Sequence, residues 1–204
     1  SYPMHFPAFV VAGVCLLLAC GIGDVIGKPF ILCVCLTLWA GGYMEKWQQE
    51  KDACGKWMYA RMLYHSGGYK AANEAYEKLY PVLRGRGAFL FEYGHSLHKS
   101  FLYGDSNKYL EEACRYSSDP MVLNVMGKNY QEQHCYEQAE KFFYRAIHRL
   151  PGRIYPYYLL ANLYAEPDFY KPDKLKEAAD SVLTKEPKVH STAIDEMRSE
   201  VREI

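Results

Sequence analysis

The sequence predicts an all-α protein, with a transmembrane helical hairpin followed by an α-solenoid of about four helix pairs and a C-terminal capping helix. Two observations carry this prediction. Residues 1–44 hold only two formally charged side chains, whereas residues 45–204 are rich in balanced charge. The second part also repeats a pattern of large and small apolar residues every 33–34 positions, which is typical of repeat architectures. We therefore expect a membrane domain over 1–47 and a solenoid domain over 48–204.

Two uncharged stretches form the predicted hairpin, Phe6 to Gly23 and Pro29 to Met44. At about 1.5 Å of rise per residue, each helix approaches the roughly 30 Å hydrocarbon core of a bilayer. The short segment between them has the glycine and proline content of a turn. Neither stretch has the polar face of a surface helix, so we expect residues 6–44 to contact membrane lipid. A buried helical pair in a soluble protein is the alternative.

Positive charge predicts the orientation of this hairpin. Lys46, Lys51, Lys56 and Arg61 follow the second stretch closely. Because lysine and arginine near a membrane segment tend to stay in the cytoplasm, we expect the solenoid on the cytoplasmic side.

The repeats share one register, which is clearest in the third. There, large, small and aromatic residues follow the order of the 34-residue tetratricopeptide (TPR) pattern: Leu123, Met126, Gly127, Tyr130, Tyr136, Ala139, Phe143, Ala146 and Pro151. In each repeat a small residue allows helix A to approach helix B. These small positions are Ala60, Gly94, Gly127 and Ala161.

The register places the ends of each helix. The four expected helix pairs cover 53–65 and 69–82, 88–101 and 106–117, 120–133 and 136–149, and 154–165 and 172–185. Residues 190–203 have the pattern of a last amphipathic helix, with Ser191 or Thr192 as its N-cap. Because a solenoid needs an end element with a polar outer face, we expect this helix to cap the array.

Helix A of each repeat is expected to line a concave groove through positions 5, 9 and 12 of the pattern. These positions hold aromatic and polar side chains, namely Trp57, Arg61, Tyr64, Phe91, His95, His98, Asn124, Lys128, Gln131, Tyr158 and Asn162. Such a mixture suits an extended peptide held by hydrogen bonds and aromatic packing, so we predict a protein or peptide partner. Trp57, Glu92 and Met121 stand where a clamp for a C-terminal carboxylate needs polar or basic residues, which argues against that subtype.

No catalytic site, metal site or cofactor is expected in this chain. It has no GxSxG, HExxH or glycine-rich phosphate loop in the proper context. His95 and His98 share a helix face with Glu92, but three such residues on one helix are more typical of a groove lining than of a metal site. The 24 basic and 24 acidic residues balance to zero net charge, which argues against a nucleic-acid partner.

Several short strings resemble the C-terminal region of O-antigen ligase/polymerase membrane proteins of Bacteroides-type bacteria. The strings are Ser1-Tyr2-Pro3, FLFEYG from Phe89, PGRIYPYYLLA from Pro151 and KVHSTAI from Lys188. The resemblance implies the tail of a longer polytopic protein in the bacterial inner membrane, whose transferase acts on undecaprenyl-linked glycans. The family's functional His and Arg residues lie upstream of this region, so no catalytic residue is carried over.

Two other interpretations remain open. The chain could be a free-standing membrane-anchored TPR adaptor without enzymatic activity. It could also be a lipoprotein assembly factor, because Leu17-Leu18-Ala19-Cys20 resembles a lipoprotein cleavage box. No lysine or arginine precedes that box, which argues against a lipoprotein signal.

Overall fold

A computed structural model of the protein describes residues 27–187, 189 and 191–204. Every regular element in these ranges is helical. The α-helices are α1 (Gly27–His65), α2 (Tyr69–Leu83), α3 (Gly87–Lys99), α4 (Tyr103–Ala113), α5 (Pro120–Glu132), α6 (Tyr136–Arg149), α7 (Tyr155–Ala165), α8 (Pro172–Thr184) and α9 (Thr192–Glu203), with a 3₁₀ turn at Pro167–Phe169. The predicted first apolar helix over 6–23 and the lipoprotein-like box lie outside the described residues.

Helix α1 is longer than the sequence pattern predicts. It runs without a break for 39 residues, so the second apolar stretch and the first repeat helix are one element. The expected helix start at residue 53 is therefore wrong. The change from apolar to charged composition near residue 45 does not end the helix, because the EKWQQEKD segment consists mainly of good helix formers and lacks proline. Within the ranges that the structure describes, no helix combines the length and the apolar character needed to cross a membrane.

The remaining helices form the predicted TPR-type solenoid. Residues 55–204 are a compact unit. The pairs α3–α4, α5–α6 and α7–α8 each pack closely, and successive pairs stack on one another. Most observed boundaries lie within one or two residues of the expected ones, and α4 is the exception.

Helix α4 begins three residues earlier than expected because a tight turn separates it from α3. Phe101 adopts a left-handed conformation with φ 62°, and the Leu102 amide donates to the Leu97 carbonyl at 3.0 Å. Gly67 and His134 have φ 81° and 58° at the equivalent positions of the first and third repeats. Each of these helix A–helix B turns therefore uses one left-handed residue, in the manner of a helix C-terminal cap.

The small residues lie where helices A and B meet, as the register predicts. Ala60 and Ala161 have no exposed surface. A Cβ added to Gly94 would lie 2.7 Å from Cγ of Leu110, and one added to Gly127 would lie 2.6 Å from Cδ1 of Phe143. Real Cβ atoms do not approach other carbons this closely, so only glycine fits at these two crossings.

Helix α9 packs against α7 and α8 at the C-terminal end of the solenoid. Val201 is buried there. Arg198 donates to the carbonyls of Val182 and Lys185 at 3.1 and 2.7 Å, and so satisfies acceptors at the end of α8. Ser191 occupies the N-cap position, although its side chain makes no capping hydrogen bond.

Replacement of Gly127 by leucine tests the register. Gly127→Leu forces a side chain against the Phe143 ring, and we expect it to lower the free energy of unfolding by about 1–3 kcal/mol. The matched control is Gly104→Leu, because a Cβ at Gly104 meets no atom within 4 Å. Denaturant unfolding followed by circular dichroism measures both variants. Equal stability of the Gly127 variant and the parent chain would contradict the register.

Candidate peptide-binding groove

The eleven predicted groove residues lie on helix A of the four repeats, which are α1, α3, α5 and α7. We call the surface that they form the A-face. Most of them are half-buried, and His98 and Asn124 are buried. The sequence predicts that all eleven line a groove for a peptide, and in the structure several of these side chains also bind the next repeat.

The first part of the A-face is held by one carboxylate. Arg61 Nη2 lies 2.5 Å from Glu92 Oε1, and Arg61 Nε donates to Glu92 Oε2 at 3.1 Å. Trp57 Nε1 donates to the same Oε2 at 2.7 Å, and the guanidinium lies 4.9 Å from the Trp57 ring centroid. The hydrogen bond to Glu92 raises the pKa of Arg61 against the opposing effect of burial. This forked pair joins α1 to α3.

A row of stacked rings follows on α3. The Phe91 and His95 rings are 5.8 Å apart and nearly parallel, as are the His95 and His98 rings. The Tyr64 hydroxyl of α1 lies 2.5 Å from His95 Nδ1. These contacts give the middle of α3 a flat aromatic surface.

His98 belongs to a buried polar network that joins α3, α4 and α5. The Asn129 amide donates to Ser106 Oγ at 2.8 Å and to Asn107 Oδ1 at 2.7 Å. Its Oδ1 therefore accepts from Nδ1 of His98, at 2.7 Å. Ser106 Oγ in turn donates to the Gly94 carbonyl at 2.7 Å. The network fixes the neutral His98 tautomer with the proton on Nδ1.

Both histidines are neutral at physiological pH. Burial, assisted by nearby His98, Lys99 and Lys128, lowers the pKa of His95 to about 4. Burial also lowers the pKa of His98, assisted by the two lysines and opposed by Asn129 and Glu132. The A-face at α3 is therefore aromatic and uncharged.

The geometry gives no support to a metal site at His95 and His98. The Glu92 carboxylate is engaged by Arg61 and Trp57. Among the described residues, no three His, Cys, Asp or Glu side chains are placed to share a metal ion.

Helix α5 contributes the least satisfied polar groups of the A-face. Asn124 is only 2 % exposed, and its Oδ1 accepts no hydrogen bond from any described residue. One turn later, Lys128 is half-buried and forms no ion pair with the described residues. Burial lowers the pKa of Lys128, as does neighbouring Lys99, while Glu132 raises it. Among the residues that the structure describes, this cation has no ion-pair partner and the Asn124 oxygen has no hydrogen-bond donor.

Other A-face residues of the last two repeats again hydrogen-bond to neighbouring elements. Gln131 Nε2 donates to Glu166 Oε1 at 2.9 Å, which joins α5 to the end of α7. The Tyr158 hydroxyl donates to Glu200 of the capping helix. Asn162, one turn after Tyr158, hydrogen-bonds the same hydroxyl.

The structure therefore divides the predicted residues into two groups. Eight of them hydrogen-bond to a neighbouring element, either directly or, for Asn162, through Tyr158. These are Trp57, Arg61, Tyr64, His95, His98, Gln131, Tyr158 and Asn162. The other three, Phe91, Asn124 and Lys128, lie on α3 and α5, and we call them the centre of the A-face. Sequence reasoning did not predict the partners Glu92, Asn129, Glu166 and Glu200. Glu92, Asn129 and Glu166 could have been found from the sequence. Each lies 31–35 residues after the residue that it binds, which is about one repeat length.

Comparisons with known proteins agree with the fold. A crystal structure of MamA matches with a TM-score of 0.56 and 17% identity, covering 71% of this chain and 82% of that chain. MamA 41-end from Desulfovibrio magneticus RS-1 matches with a TM-score of 0.57 and 16% identity, covering 95% and 96%. YrrB, described as a TPR protein with an unusual peptide-binding site, matches at a TM-score of 0.44 and 13% identity, which is too weak to bear on this chain. No protein-family model and no curated protein matches the chain.

Acid should weaken the fold through the histidines of α3. A folded-state pKa near 4 for His95 lies below the unfolded value of about 6.5. The neutral form is thus favoured by folding, and this stability is complete above pH 6.5 and is lost as the pH falls toward 4. We expect His95 to account for about 1 kcal/mol of the loss between pH 7 and pH 5, after allowance for solvent screening.

The measurement compares urea unfolding at pH 7 and pH 5 for the parent chain and for His95→Gln. The variant should lose less stability on acidification than the parent. His148→Gln is the control, because His148 is exposed on α6. An identical pH dependence in all three proteins would show that His95 is not held neutral by the fold.

Proposed function

We propose that this chain is a protein-interaction module that binds an extended peptide along the A-face, with an acidic side chain of the peptide at Lys128. The observation that carries this proposal is half-buried Lys128 on α5, which forms no ion pair with any described residue. Burial of an unpaired charge is costly, and a carboxylate from a ligand would remove that cost.

The surroundings of Lys128 favour an anionic ligand. Lys99 is close enough to lower the pKa of Lys128, and Glu132 is the carboxylate that opposes this effect. His95 and His98 add no negative charge. The stacked Phe91 and His95 rings next to this cation offer an apolar surface for a neighbouring side chain of the peptide.

The A-face residues that hydrogen-bond to neighbouring elements support binding in a different way. Because Arg61, Gln131 and Tyr158 are held by carboxylates of neighbouring elements, the helices on either side of the centre need little ordering when a ligand arrives. Such preorganisation lowers the entropic cost of association.

We further propose that residues 6–44 anchor the module in the bacterial inner membrane with the repeats in the cytoplasm. The support is the length of the two uncharged stretches and the lysines that follow the second. The string resemblances support a more specific proposal, that the chain is the tail of an O-antigen ligase/polymerase-like membrane protein and recruits a partner to glycan transfer. A free-standing anchored adaptor is the alternative.

The peptide proposal can be tested with an array of unrelated 12-residue peptides that differ in charge and aromatic content. We expect acidic peptides to be retained over basic ones, with affinity that falls as salt is added, because the solvent-accessible part of the ion pair is screened. Lys128→Met should lower the affinity for the best acidic peptide by about tenfold, as expected for a partly buried charge pair.

The matched control is Lys141→Met, which removes an exposed lysine of α6 outside the A-face. It should bind like the parent chain. Equal loss in both variants would indicate a non-specific charge effect. No acidic peptide above background, or full binding by Lys128→Met, would contradict the proposed site.

The membrane proposal predicts the size and location of the native protein. An antibody raised against residues 45–204 should detect it in the membrane fraction of source cells after carbonate washing. A band far above 23.6 kDa would support the tail of a polytopic enzyme, whereas a membrane band near that mass would support the free-standing adaptor. A band in the soluble fraction would contradict membrane anchoring.

A further inference from the structure

The first repeat exposes apolar side chains on a helix face that is largely buried in the later repeats. Met58, Tyr59 and Met62 of α1 are 60, 57 and 59 % exposed. At the positions of Tyr59 and Met62, the equivalent residues are covered in repeats two to four. The equivalents of Tyr59 are Tyr93, Met126 and Leu160, and those of Met62 are Ser96, Asn129 and Leu163, all 4 % exposed or less. We call the surface around Met58, Tyr59 and Met62 the N-face.

A groove runs beside these three side chains. It has a volume of about 310 Å³ and lies between α1 and α2, with Tyr59, Leu63, Ala75 and Leu79 among the apolar residues that line it. Charges of both signs stand along it, from Lys56, Glu74 and Lys78.

The second repeat shows what lies beside such a groove when a repeat precedes it. There the equivalent cavity is lined by Tyr93, Leu97 and Tyr109, and its other wall is formed by Lys70, Asn73 and Glu77 of α2. Helix α2 of the preceding repeat therefore lies along one side of this groove and leaves a cavity of about 700 Å³ open. The groove of the N-face has the same repeat positions and could pack against one side of a facing helix in the same way.

We propose that a second copy of this chain occupies the N-face and forms a two-fold symmetric dimer. Met58 and Met62 are one turn apart and form an exposed apolar ridge on α1, next to the groove. Ridges of this kind pack into grooves of a facing helix. A two-fold axis would place the ridge of each copy in the groove of the other, which is the self-complementary contact that such symmetry requires.

The charges of the N-face agree with a partner identical to itself. Lys56 and Lys78 stand beside Glu74, so a two-fold axis can bring lysines of one copy to the glutamate of the other. A partner whose surface carried charge of only one sign would place that charge opposite a charge of the same sign on the N-face. The zero net charge of the chain removes long-range repulsion between copies.

The other end of the solenoid does not offer an equivalent surface. Helix α9 covers α8 there, with Val201 buried and Arg198 bonded to the carbonyls at the end of α8. Head-to-tail stacking of copies is therefore blocked by α9, and a closed dimer is the assembly that remains for this face. Three exposed apolar side chains per copy make a smaller contact than the roughly 20–30 residues a side of standard complexes, so we expect dissociation in the micromolar range.

Sedimentation velocity of the full chain in mild detergent, over about 1–100 μM, tests this proposal. The parent chain should change from monomer to dimer within that range. Met62→Lys places a charge in the contact and should raise the dissociation constant at least about tenfold, since burial of an unpaired charge costs several times RT. Tyr170→Lys is the matched control, because Tyr170 is 60 % exposed in the fourth repeat, and it should dimerise like the parent.

A charge swap provides the second test. Lys56→Glu and Glu74→Lys should each weaken the dimer, and the double variant should recover it, with circular dichroism confirming that all variants are folded. A parent chain that stays monomeric to 100 μM would overturn the proposal and leave another protein as the occupant. Equal dimerisation of the parent and Met62→Lys would also overturn it and would place the contact elsewhere, including in the apolar N-terminal stretch.

Discussion

The close approach of helix A to helix B at one small residue determines most of what this solenoid can do. At Gly94 and Gly127 the facing Leu110 and Phe143 leave no room for a Cβ, so the rotation of helix A about its axis is fixed. Residues three before, one after and four after the small residue then point away from helix B. These offsets define the A-face, and they are the same in every repeat because the contact recurs every 33–34 residues.

The A-face combines two roles that compete for the same side chains. At its ends, polar residues bind carboxylates and an amide of adjacent helices, as in the Arg61–Glu92 pair. Half-buried pairs of this kind contribute little net stability, since desolvation offsets much of the attraction, but they favour one stacking geometry over others. At the centre, Asn124 and Lys128 have no such partner in the described part of the chain. This difference, between ends whose polar groups bind neighbouring helices and a centre whose polar groups do not, favours a ligand at the centre.

Sequence periodicity predicted the elements that depend on local repetition. The helix pairs, the small crossing residues and the capping helix follow from spacing and amphipathic pattern, and the structure confirms them. The start of the first repeat helix was wrong, because a change in composition carries no stop signal for a helix whose residues remain good helix formers. The partners of the groove residues were also missed. Glu200 lies 42 residues after Tyr158, and no local pattern marks a polar contact across that distance.

Peptide binding at the A-face is tested most directly by hydrogen–deuterium exchange of the full chain with and without a saturating acidic peptide that it binds. Binding there should slow exchange in α3 and α5, centred on the turns that carry Phe91, Asn124 and Lys128, because ligand contacts suppress local opening. Helices α4 and α6 should change little. Protection confined to α4, α6 or α9, with none in α3 and α5, would contradict binding at the A-face.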